Sequence, residues 1–369
     1  MRATRVRLRD FRNYERGEVE LADALTVVTG PNGAGKTNLL EAIYFACTAR
    51  SPRTSNDREL IRKGGVAARV ELELADGPDR HLLEVGFAAG EAKRIRVDGS
   101  DVDRPASVET RPLVGVFMPE RLELVKGAPA ARRAHIDQFA AALWPARAAT
   151  RTSYGRALAQ RNALLARVRA GASQRSTLDA WDAELAQHGL QLMADRRAAA
   201  ELLAGPFAAR AAELGLPGVA ELAYRPRYQA TTEAELLAEL AGRQEADLER
   251  GFTVHGPHRD DVRLGLDGAS LRVYGSQGQQ RTALLALLFA ERDVLGSERP
   301  GRGPLMLLDD VMSELDATRR ELLGELLTGG GQAVVTATEV DHVPGAHDDG
   351  ATVVEVSAGA IAGVEVSAA

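Results

Sequence analysis

Residues 30–37, Gly-Pro-Asn-Gly-Ala-Gly-Lys-Thr, constrain this chain more than any other stretch of it. Neither helix nor strand tolerates three glycines and a proline within six residues. The apolar run Leu25–Thr29 precedes them, and Leu39, Leu40, Ile43 and Tyr44 recur at helical spacing after them. The expected order is buried strand, glycine loop, then a helix over 36–49. The octapeptide fits G-x-x-x-x-G-K-[ST] in full. Its glycines let successive backbone N–H groups turn inward around a phosphate, and the helix start adds its partial positive charge. Lys36 then reaches the outer phosphates of a triphosphate, and the Thr37 hydroxyl ligates Mg²⁺. Gly30, Pro31, Asn32, Gly33, Ala34, Gly35, Lys36 and Thr37 are the candidate binding residues, with ATP and Mg²⁺ as the expected ligands.

Such a loop needs an acidic metal partner on a neighbouring strand. Leu305, Met306, Leu307 and Leu308 form an apolar run that ends in Asp309 and Asp310. A buried strand here delivers Asp309 to the Mg²⁺ shell and leaves Asp310 to orient or deprotonate the attacking water. Lys36, Asp309 and Asp310 are the candidate catalytic set, and Thr37 and Asp309 the candidate metal ligands. A third segment, Tyr274-Gly-Ser-Gln-Gly-Gln-Gln-Arg281, sits just before another expected helix. Ser276, Gly278 and Gln279 leave small side chains and free N–H groups at a helix start, again an anion site. The plainer alternative is a Ser/Gly N-cap of a core helix. This segment lies about 240 residues beyond the glycine loop, and one small ligand does not need two phosphate cradles.

Around these motifs the pattern is mixed. Residues 5–10 alternate charged and apolar side chains like a half-buried strand, and similar segments at 68–74, 81–87 and 94–97 are separated by Asp-Gly and Ala-Gly turns. From about 129 to 250 the chain turns to Ala, Leu, Arg and Glu with few β-branched residues, broken near Gly171, Gly205 and Pro217, which reads as helices forming a short antiparallel arm. Strands are expected again at 262–266, 271–273, 304–308 and 333–335, with a helix over about 278–295; the last 20 residues are small and weakly patterned. The expected fold is α/β: a nucleotide-binding head with a β-rich flank, built from residues 1–112 and 251–369, and a helical lobe inserted over 113–250.

The chain has 369 residues, room for about two domains. Its net charge of −6, from 46 basic and 52 acidic side chains, does not advertise a nucleic-acid binder, so any such surface is local. Lysine occurs only at 36, 63, 93 and 126, so the abundant arginine is a compositional bias. The series Arg147, Arg151, Arg156, Arg161, Arg167 and Arg169 therefore reads as a solvated helix face ahead of a DNA groove. Aromatics at 4% argue against a base-stacking platform. His255 and His258 lack acidic or cysteine partners in a metal-ligand pattern, which favours structural hydrogen bonding. Cys47 is the only cysteine, which excludes an internal disulfide and suits a reducing compartment. The N-terminus lacks the apolar stretch of a secretory signal, and the longest apolar run, 283–290, is far short of the roughly 20 residues of a membrane helix. A cytoplasmic location without membrane partners is expected.

In this order the three motifs resemble an ABC-type ATPase head, in which the Ser-x-Gly-Gln signature of one subunit closes over ATP held by the glycine loop of another. Ser313-Glu314-Leu315-Asp316 resembles the D-loop of that class. Phe11-Arg12-Asn13-Tyr14, Gly30 to Glu41, Leu124-Val-Lys-Gly127 with Arg132-Arg133, Gly256-Pro-His-Arg-Asp-Asp261, Gly275 to Arg281 and Leu307 to Asp316 together resemble the RecF family along almost the whole chain. That resemblance implies a DNA replication and recombinational-repair protein of the DNA-damage (SOS) response. It also implies an ATP-dependent homodimer that binds duplex DNA at single-strand/double-strand junctions, works with RecR and RecO-like partners and has a weak DNA-stimulated ATPase. Arg12 and Asn13 match a position where related SMC-like heads contact nucleotide; a solvated loop is the other reading. Asp310 stands where transporter-type ATPases carry the longer Glu, which predicts slow turnover. No histidine follows residues 333–335 as a γ-phosphate switch, leaving Thr336 or Thr338 as the stand-in, and no glutamine-loop residue can be assigned. Two rivals share the motifs: the energy subunit of a membrane transporter, disfavoured by the long spacing and the insert, and an ATP-gated clamp whose hydrolysis is incidental.

Overall fold

The computed structural model describes residues 1–103, 112–299 and 303–367. Residues 104–111, 300–302 and 368–369, which fall in the expected head, lie outside the described residues. The chain opens with β1 (Arg2–Phe11), β2 (Tyr14–Glu20), β3 (Leu25–Thr29), α1 (Lys36–Thr48), β4 (Ala67–Asp76), β5 (Asp79–Ala88), β6 (Arg94–Val97), β7 (Ser100–Asp101) and β8 (Val114–Phe117). Then come α2 (Glu123–Lys126), α3 (Pro129–Leu143), α4 (Thr150–Arg169), α5 (Asp179–Glu213), β9 (Ala220–Arg225), α6 (Glu233–Gly242) and α7 (Gln244–Arg250). The C-terminal part holds β10 (Asp261–Leu266), β11 (Ala269–Ser270), α8 (Leu271–Tyr274), α9 (Gln277–Glu298), β12 (Leu305–Leu308), α10 (Ala317–Thr328), β13 (Gln332–Thr336), β14 (Thr352–Ser357) and β15 (Ala360–Val366). The chain divides into two compact units, residues 1–122, 213–215 and 291–369, and residues 123–212 and 216–290.

The first unit contains two sheets. In one, ordered β15-β14-β3-β13-β12-β8, the strands β14, β3, β13, β12 and β8 run parallel and only β15 is antiparallel. All of Leu305–Leu308 and Gln332–Thr336 is buried, as a parallel sheet covered on both faces requires. The second sheet, β2-β1-β4-β5-β6-β7, is antiparallel throughout. Its alternation is the one visible in the sequence: Val6, Leu8, Val70 and Leu72 are buried, while Arg5 and Arg7 on the other face pair with Glu18, Glu20, Glu71 and Glu73. Leu39, Leu40, Ile43 and Phe45 of α1 join these strands in one core.

In the second unit, α4 and α5 pack through Tyr154, Ala157, Leu185, Ala186 and Leu192, with Leu236 and Leu240 of α6 completing the cluster. A small antiparallel sheet, β11-β10-β9, accompanies the helices. Arg161 is fully buried and paired with Asp182 at 2.5 Å and Asp247 at 2.6 Å. It is therefore part of neither a solvated face nor a groove, whereas Arg147, Arg151, Arg156, Arg167 and Arg169 are exposed, Arg147 and Arg151 lying beside Asp195 and Asp137.

Several expectations need correction. Residues 271–273 are helical, in α8, which buries Leu271 and leaves Val273 and Tyr274 exposed. Gly205 does not break α5, and Pro206 sits inside it: Leu203 and Phe207, fully buried on the same helix, hold its register against the weak local propensity. The stretch 129–250 also contains β9, which the lack of β-branched residues concealed. The last residues form the β14–β15 hairpin, whose two-residue turn is Ala358-Gly359 with φ of 48° and 79°. The hairpin turns Asp98-Gly99 and Asp267-Gly268 have the same positive-φ geometry with the residues that favour it.

Candidate nucleotide-binding site

The glycine loop follows β3 and turns into α1 within the first unit. At Gly30, with φ of 143°, a Cβ would stand 2.1 Å from the Val356 carbonyl oxygen. At Gly35, with φ of 125°, it would stand 2.8 Å from the Asn13 side-chain nitrogen. Gly30 is thus fixed by backbone approach as well as by dihedral sign, and Gly35 by dihedral sign and the crowding of the Asn13 and Tyr14 side chains. Outside the loop, Asn13 Nδ2 donates to the Ala34 carbonyl at 3.0 Å, the Tyr14 hydroxyl to the Gly35 carbonyl at 3.0 Å, and the Gly359 N–H to the Ala34 carbonyl at 2.8 Å. The loop is braced from both ends of the chain.

Lys36 is only 8% exposed, and its ammonium donates to two carbonyls of its own loop, Gly30 at 2.6 Å and Pro31 at 3.2 Å. No carboxylate offsets its charge among the described residues. An ammonium held this way is stabilised by an anion placed in the loop.

The opposite charge lies across β13, which separates β3 from β12. Asp309, at the end of β12 and 6% exposed, accepts from Thr37 Oγ1 at 2.9 Å and from Thr336 Oγ1 at 2.8 Å. Burial raises the Asp309 carboxyl above the ordinary carboxylate range; the two hydroxyls and the more distant Arg53 oppose the shift, and Asp310 adds to it. A buried carboxylate beside a hydroxyl suits a hard divalent cation, so Thr37 and Asp309 fit the Mg²⁺ role. Asp310 is exposed, with φ of 48°, which Asp tolerates better than most residues. Its N–H donates to Thr336 Oγ1 at 2.8 Å, and its carbonyl accepts from Ser313 Oγ at 3.0 Å. Thr336 is fully buried with its hydroxyl engaged on both sides, by Asp309 and by the Asp310 N–H, while Thr338 is exposed. In this arrangement Thr336 holds the two aspartates together and does not present a free hydroxyl as a switch.

Arg12 is committed elsewhere. Its guanidinium makes two bonds to Glu41, at 2.7 and 2.8 Å, and one to the Glu59 carbonyl at 2.9 Å. Glu41 is fully buried in α1 and also receives Ser51 Oγ at 2.5 Å and Arg53 at 3.2 Å. Arg53 in turn donates to Asn38 at 2.9 Å, Asn38 to Asn13 at 2.8 Å, and Asn13 to Ala34, a continuous path into the phosphate loop. Sequence reasoning missed Glu41 and Arg53 as organisers of the site. The available signal was a charged residue between Leu40 and Ala42 on the apolar side of α1.

Ser276, Gly278 and Gln279 belong to the second unit. Ser276 caps α9: the Gln279 N–H donates to Ser276 Oγ at 3.2 Å, and the Ser276 N–H donates to Gln279 Oε1 at 2.9 Å. This reciprocal box is the plainer alternative realised, and it leaves Ser276 and Gly278 exposed at a helix start. In the D-loop segment, Asp316 caps α10 by accepting from the Arg319 N–H at 2.9 Å; the Glu314 side chain lies outside the described residues. The block Gly256–Asp261 is a structural knot of the second unit. Arg196 donates to the Pro257 carbonyl at 2.6 Å, the Tyr224 hydroxyl bonds Asp260, and Arg132 pairs with Asp261 at 2.8 Å. His258 bonds the Tyr154 hydroxyl at 2.8 Å and the Thr253 carbonyl at 3.1 Å, and burial lowers its pKa to about 4. No group of three candidate metal ligands occurs among the described residues.

The sequence profile of the RecF/RecN/SMC N terminal domain family matches residues 3–360. The DNA replication and repair protein RecF of Streptomyces avermitilis is 39% identical over 361 residues, spanning 94% of this chain and 95% of that protein. The protein of the same name from Kineococcus radiotolerans is 38% identical over 378 residues, at 94% and 95% coverage. A solved structure described as the recombination mediator protein RecF with ATP in the RecFOR pathway superposes with a TM-score of 0.86 at 27% identity, covering 98% of this chain and 96% of that one. An Smc head domain from Pyrococcus furiosus, at 16% identity and a TM-score of 0.58 over 98% and 95% of the two chains, shares the fold. With a phosphate loop, an aspartate pair and a capped Ser-x-Gly-Gln helix in the order the ABC-type head requires, this chain belongs to the RecF/RecN/SMC family, within its RecF group of DNA replication and repair proteins.

Proposed function

We propose that this chain is an ATP-dependent DNA-binding protein of recombinational repair and replication. ATP joins two copies into a dimer that clamps duplex DNA at single-strand/double-strand junctions, and slow hydrolysis releases it. The observation that carries the reading is the buried Lys36 ammonium, held by loop carbonyls alone, one strand away from the buried Asp309 carboxylate. These two uncompensated groups match a triphosphate and its cation. The likeness to RecF solved with ATP supports ATP as the ligand.

The residues divide the work as follows. The N–H groups of Gly30, Asn32, Gly33, Ala34 and Gly35 donate to phosphate oxygens, Pro31, which has no N–H, shapes the turn between them, and Lys36 leaves its carbonyls for the β- and γ-phosphates. Thr37 and Asp309 would hold Mg²⁺, which when bound would offset the phosphate charge. Asp310 orients the water, and its short side chain makes turnover slow. Ser276, Gly278 and Gln279 act on the nucleotide of the second copy through the exposed start of α9. Asn13 braces the loop. Arg12 contacts nucleotide only by exchanging its bonds to Glu41.

In this reading residues 1–112 and 251–369 act as the head and 113–250 as the inserted lobe, a functional division that cuts across the two compact units. Partners are DNA, a second copy and the RecR and RecO-like proteins of the same pathway, in the cytoplasm and in the SOS response; no described helix is long and apolar enough to cross a membrane. Molar mass in solution, with and without ATP and a gapped duplex, tests the reading on the parent chain and on Ser276→Arg. ATP should convert monomer to dimer, DNA should strengthen the dimer, and Ser276→Arg should abolish it. A monomer indifferent to ATP and DNA would refute the clamp.

A further inference from the structure

The first unit has a second cationic feature outside the phosphate loop and its aspartate pair. After α1 the chain forms a cleft of about 480 Å³ lined by Arg50, Arg53, Thr54, Ser55 and Lys93, with Asp57 as its carboxylate. In a chain of net charge −6 this is a concentration of cations. They are not equivalent. Lys93 is engaged by Asp57 at 2.9 Å and the Ala49 carbonyl at 2.7 Å, and lies 5.4 Å from the Phe45 ring centre. Arg53 is engaged by Glu41 and, at 3.4 Å, by Glu120. Arg50 is exposed, and its guanidinium has no partner among the described residues. The Thr54 hydroxyl accepts from the Asn56 N–H at 3.0 Å, which leaves its own proton to donate.

The loop carrying these groups is built in advance. Ser51 Oγ accepts the N–H groups of Arg53 at 3.0 Å and Thr54 at 3.1 Å while donating to the buried Glu41. A backbone fixed in this way sets the position of the Thr54 hydroxyl in advance, which lowers the ordering cost of binding a polyanion there. From the same cleft, Arg53 begins the path through Asn38 and Asn13 to the phosphate-loop carbonyl of Ala34.

We infer that this cleft is a phosphodiester-binding site, in which Arg50, Thr54 and Ser55 hold the sugar–phosphate backbone of the DNA strand that the clamp encloses. The inference rests on the DNA-binding reading above and supplies the contact site that reading lacks. Such contacts are independent of base sequence and dependent on salt, because each neutralised phosphate releases counterions.

The test uses the full chain with ATP and Mg²⁺ and a fluorescently labelled gapped duplex, titrated by anisotropy at several salt concentrations. The variants are Arg50→Ala, Thr54→Glu and, as a control far along the antiparallel sheet, Arg80→Ala. Arg50→Ala should weaken binding and lower the slope of log affinity against log salt by about one, since it removes one phosphate contact. Thr54→Glu should weaken binding further, and Arg80→Ala should match the parent. The Arg50 guanidinium bonds nothing among the described residues, and the backbone bonds of Arg50 to Thr48 survive the change, so its variant should keep the parent's thermal midpoint and ATP affinity. Equal affinity and equal slope in parent, Arg50→Ala and Thr54→Glu would overturn the cleft while leaving the DNA reading intact. A parent chain that binds no DNA would overturn the reading and the cleft with it. ATP stoichiometry by equilibrium dialysis separates the sources of phosphate: a second ATP per parent chain that disappears in Arg50→Ala would make the cleft a nucleotide site and refute a backbone site.

Discussion

Replacing Thr336 by valine isolates what holds the two aspartates. Valine keeps the branched shape and the strand preference of the residue and removes only the hydroxyl. Two bonds go with it: the 2.8 Å bond to the Asp309 carboxylate and the 2.8 Å bond that satisfies the Asp310 N–H. A hydrogen bond to a charged group contributes about 1.5–3 kcal/mol and a neutral one about 1, and the extra buried methyl returns about 1, so the net loss should be about 1.5–3 kcal/mol. Trp144 and Trp181 both lie in the second unit, so tryptophan fluorescence is the wrong probe. Hydrogen exchange of the β12 and β13 amides reads the affected strands. Thr336→Ser, which retains the hydroxyl, should recover most of the loss. In turnover, Thr336→Val should lower kcat about 10- to 100-fold with little change in KM, the usual scale for a group that positions a metal ligand. Parent-like exchange and parent-like kcat in Thr336→Val would show that the aspartates are held without it.

Lys36→Met should leave the ligand-free protein as stable as the parent or more so, because it removes a buried uncompensated charge; it should also abolish stabilisation by ATP, about 2.7 kcal/mol for the parent at a hundredfold excess over Kd, read as a thermal shift. Arg161→Met strands Asp182 and Asp247 and should cost about 3–5 kcal/mol, seen as an earlier loss of the signal of Trp181, which packs against the α4–α5 cluster. For His258 the folded pKa of about 4 lies below the unfolded 6.5, so above pH 6.5 the group has no effect and between pH 6.5 and 4 the unfolded chain takes the proton first. Stability should fall across that window by up to about 3 kcal/mol, and urea midpoints for His258→Gln should show a flatter profile.

What the sequence revealed depended on how far one residue's chemistry settles its backbone. Gly30 and Gly35 sit at dihedrals other residues avoid, between an apolar strand and an amphipathic helix, so the loop and its flanks were legible. The hairpin turns at Asp98-Gly99 and Asp267-Gly268 use a favoured pair; Ala358-Gly359 does the same job with an alanine at φ 48°, so β14 and β15 were not legible. Gly205-Pro206 signals a break that the buried Leu203 and Phe207 override through tertiary packing, and β9 rests on pairing with β10, which no local pattern encodes. In the site, Lys36 and Thr37 were legible because spacing within the glycine loop specifies them, and Asp309 because an apolar run ends at it. The roles of Glu41 and Arg53 rest on partners elsewhere in the chain and emerge from the fold, and Thr336, expected as one candidate switch, is shown by its bonds to hold the two aspartates.

The charges at the phosphate loop explain why those partners are needed. Lys36 and Asp309 carry opposite charges in the same unit, yet they do not pair: the ammonium is folded onto the Gly30 and Pro31 carbonyls and the carboxylate onto the Thr37 and Thr336 hydroxyls. Direct pairing would satisfy both charges and close the space between them. Neutral donors and acceptors hold each group in place with weaker bonds, which a triphosphate and its cation can displace at modest cost. On this argument Lys36→Met combined with Asp309→Asn should be no less stable than the parent without nucleotide, because two buried ionic groups are removed together. Each single variant should then lose ATP-dependent stabilisation as completely as the double. If each single variant were instead far less stable than the parent and the double variant more stable than either, the two charges would be supporting each other directly, and the site would be a structural ion pair that happens to resemble a nucleotide cradle.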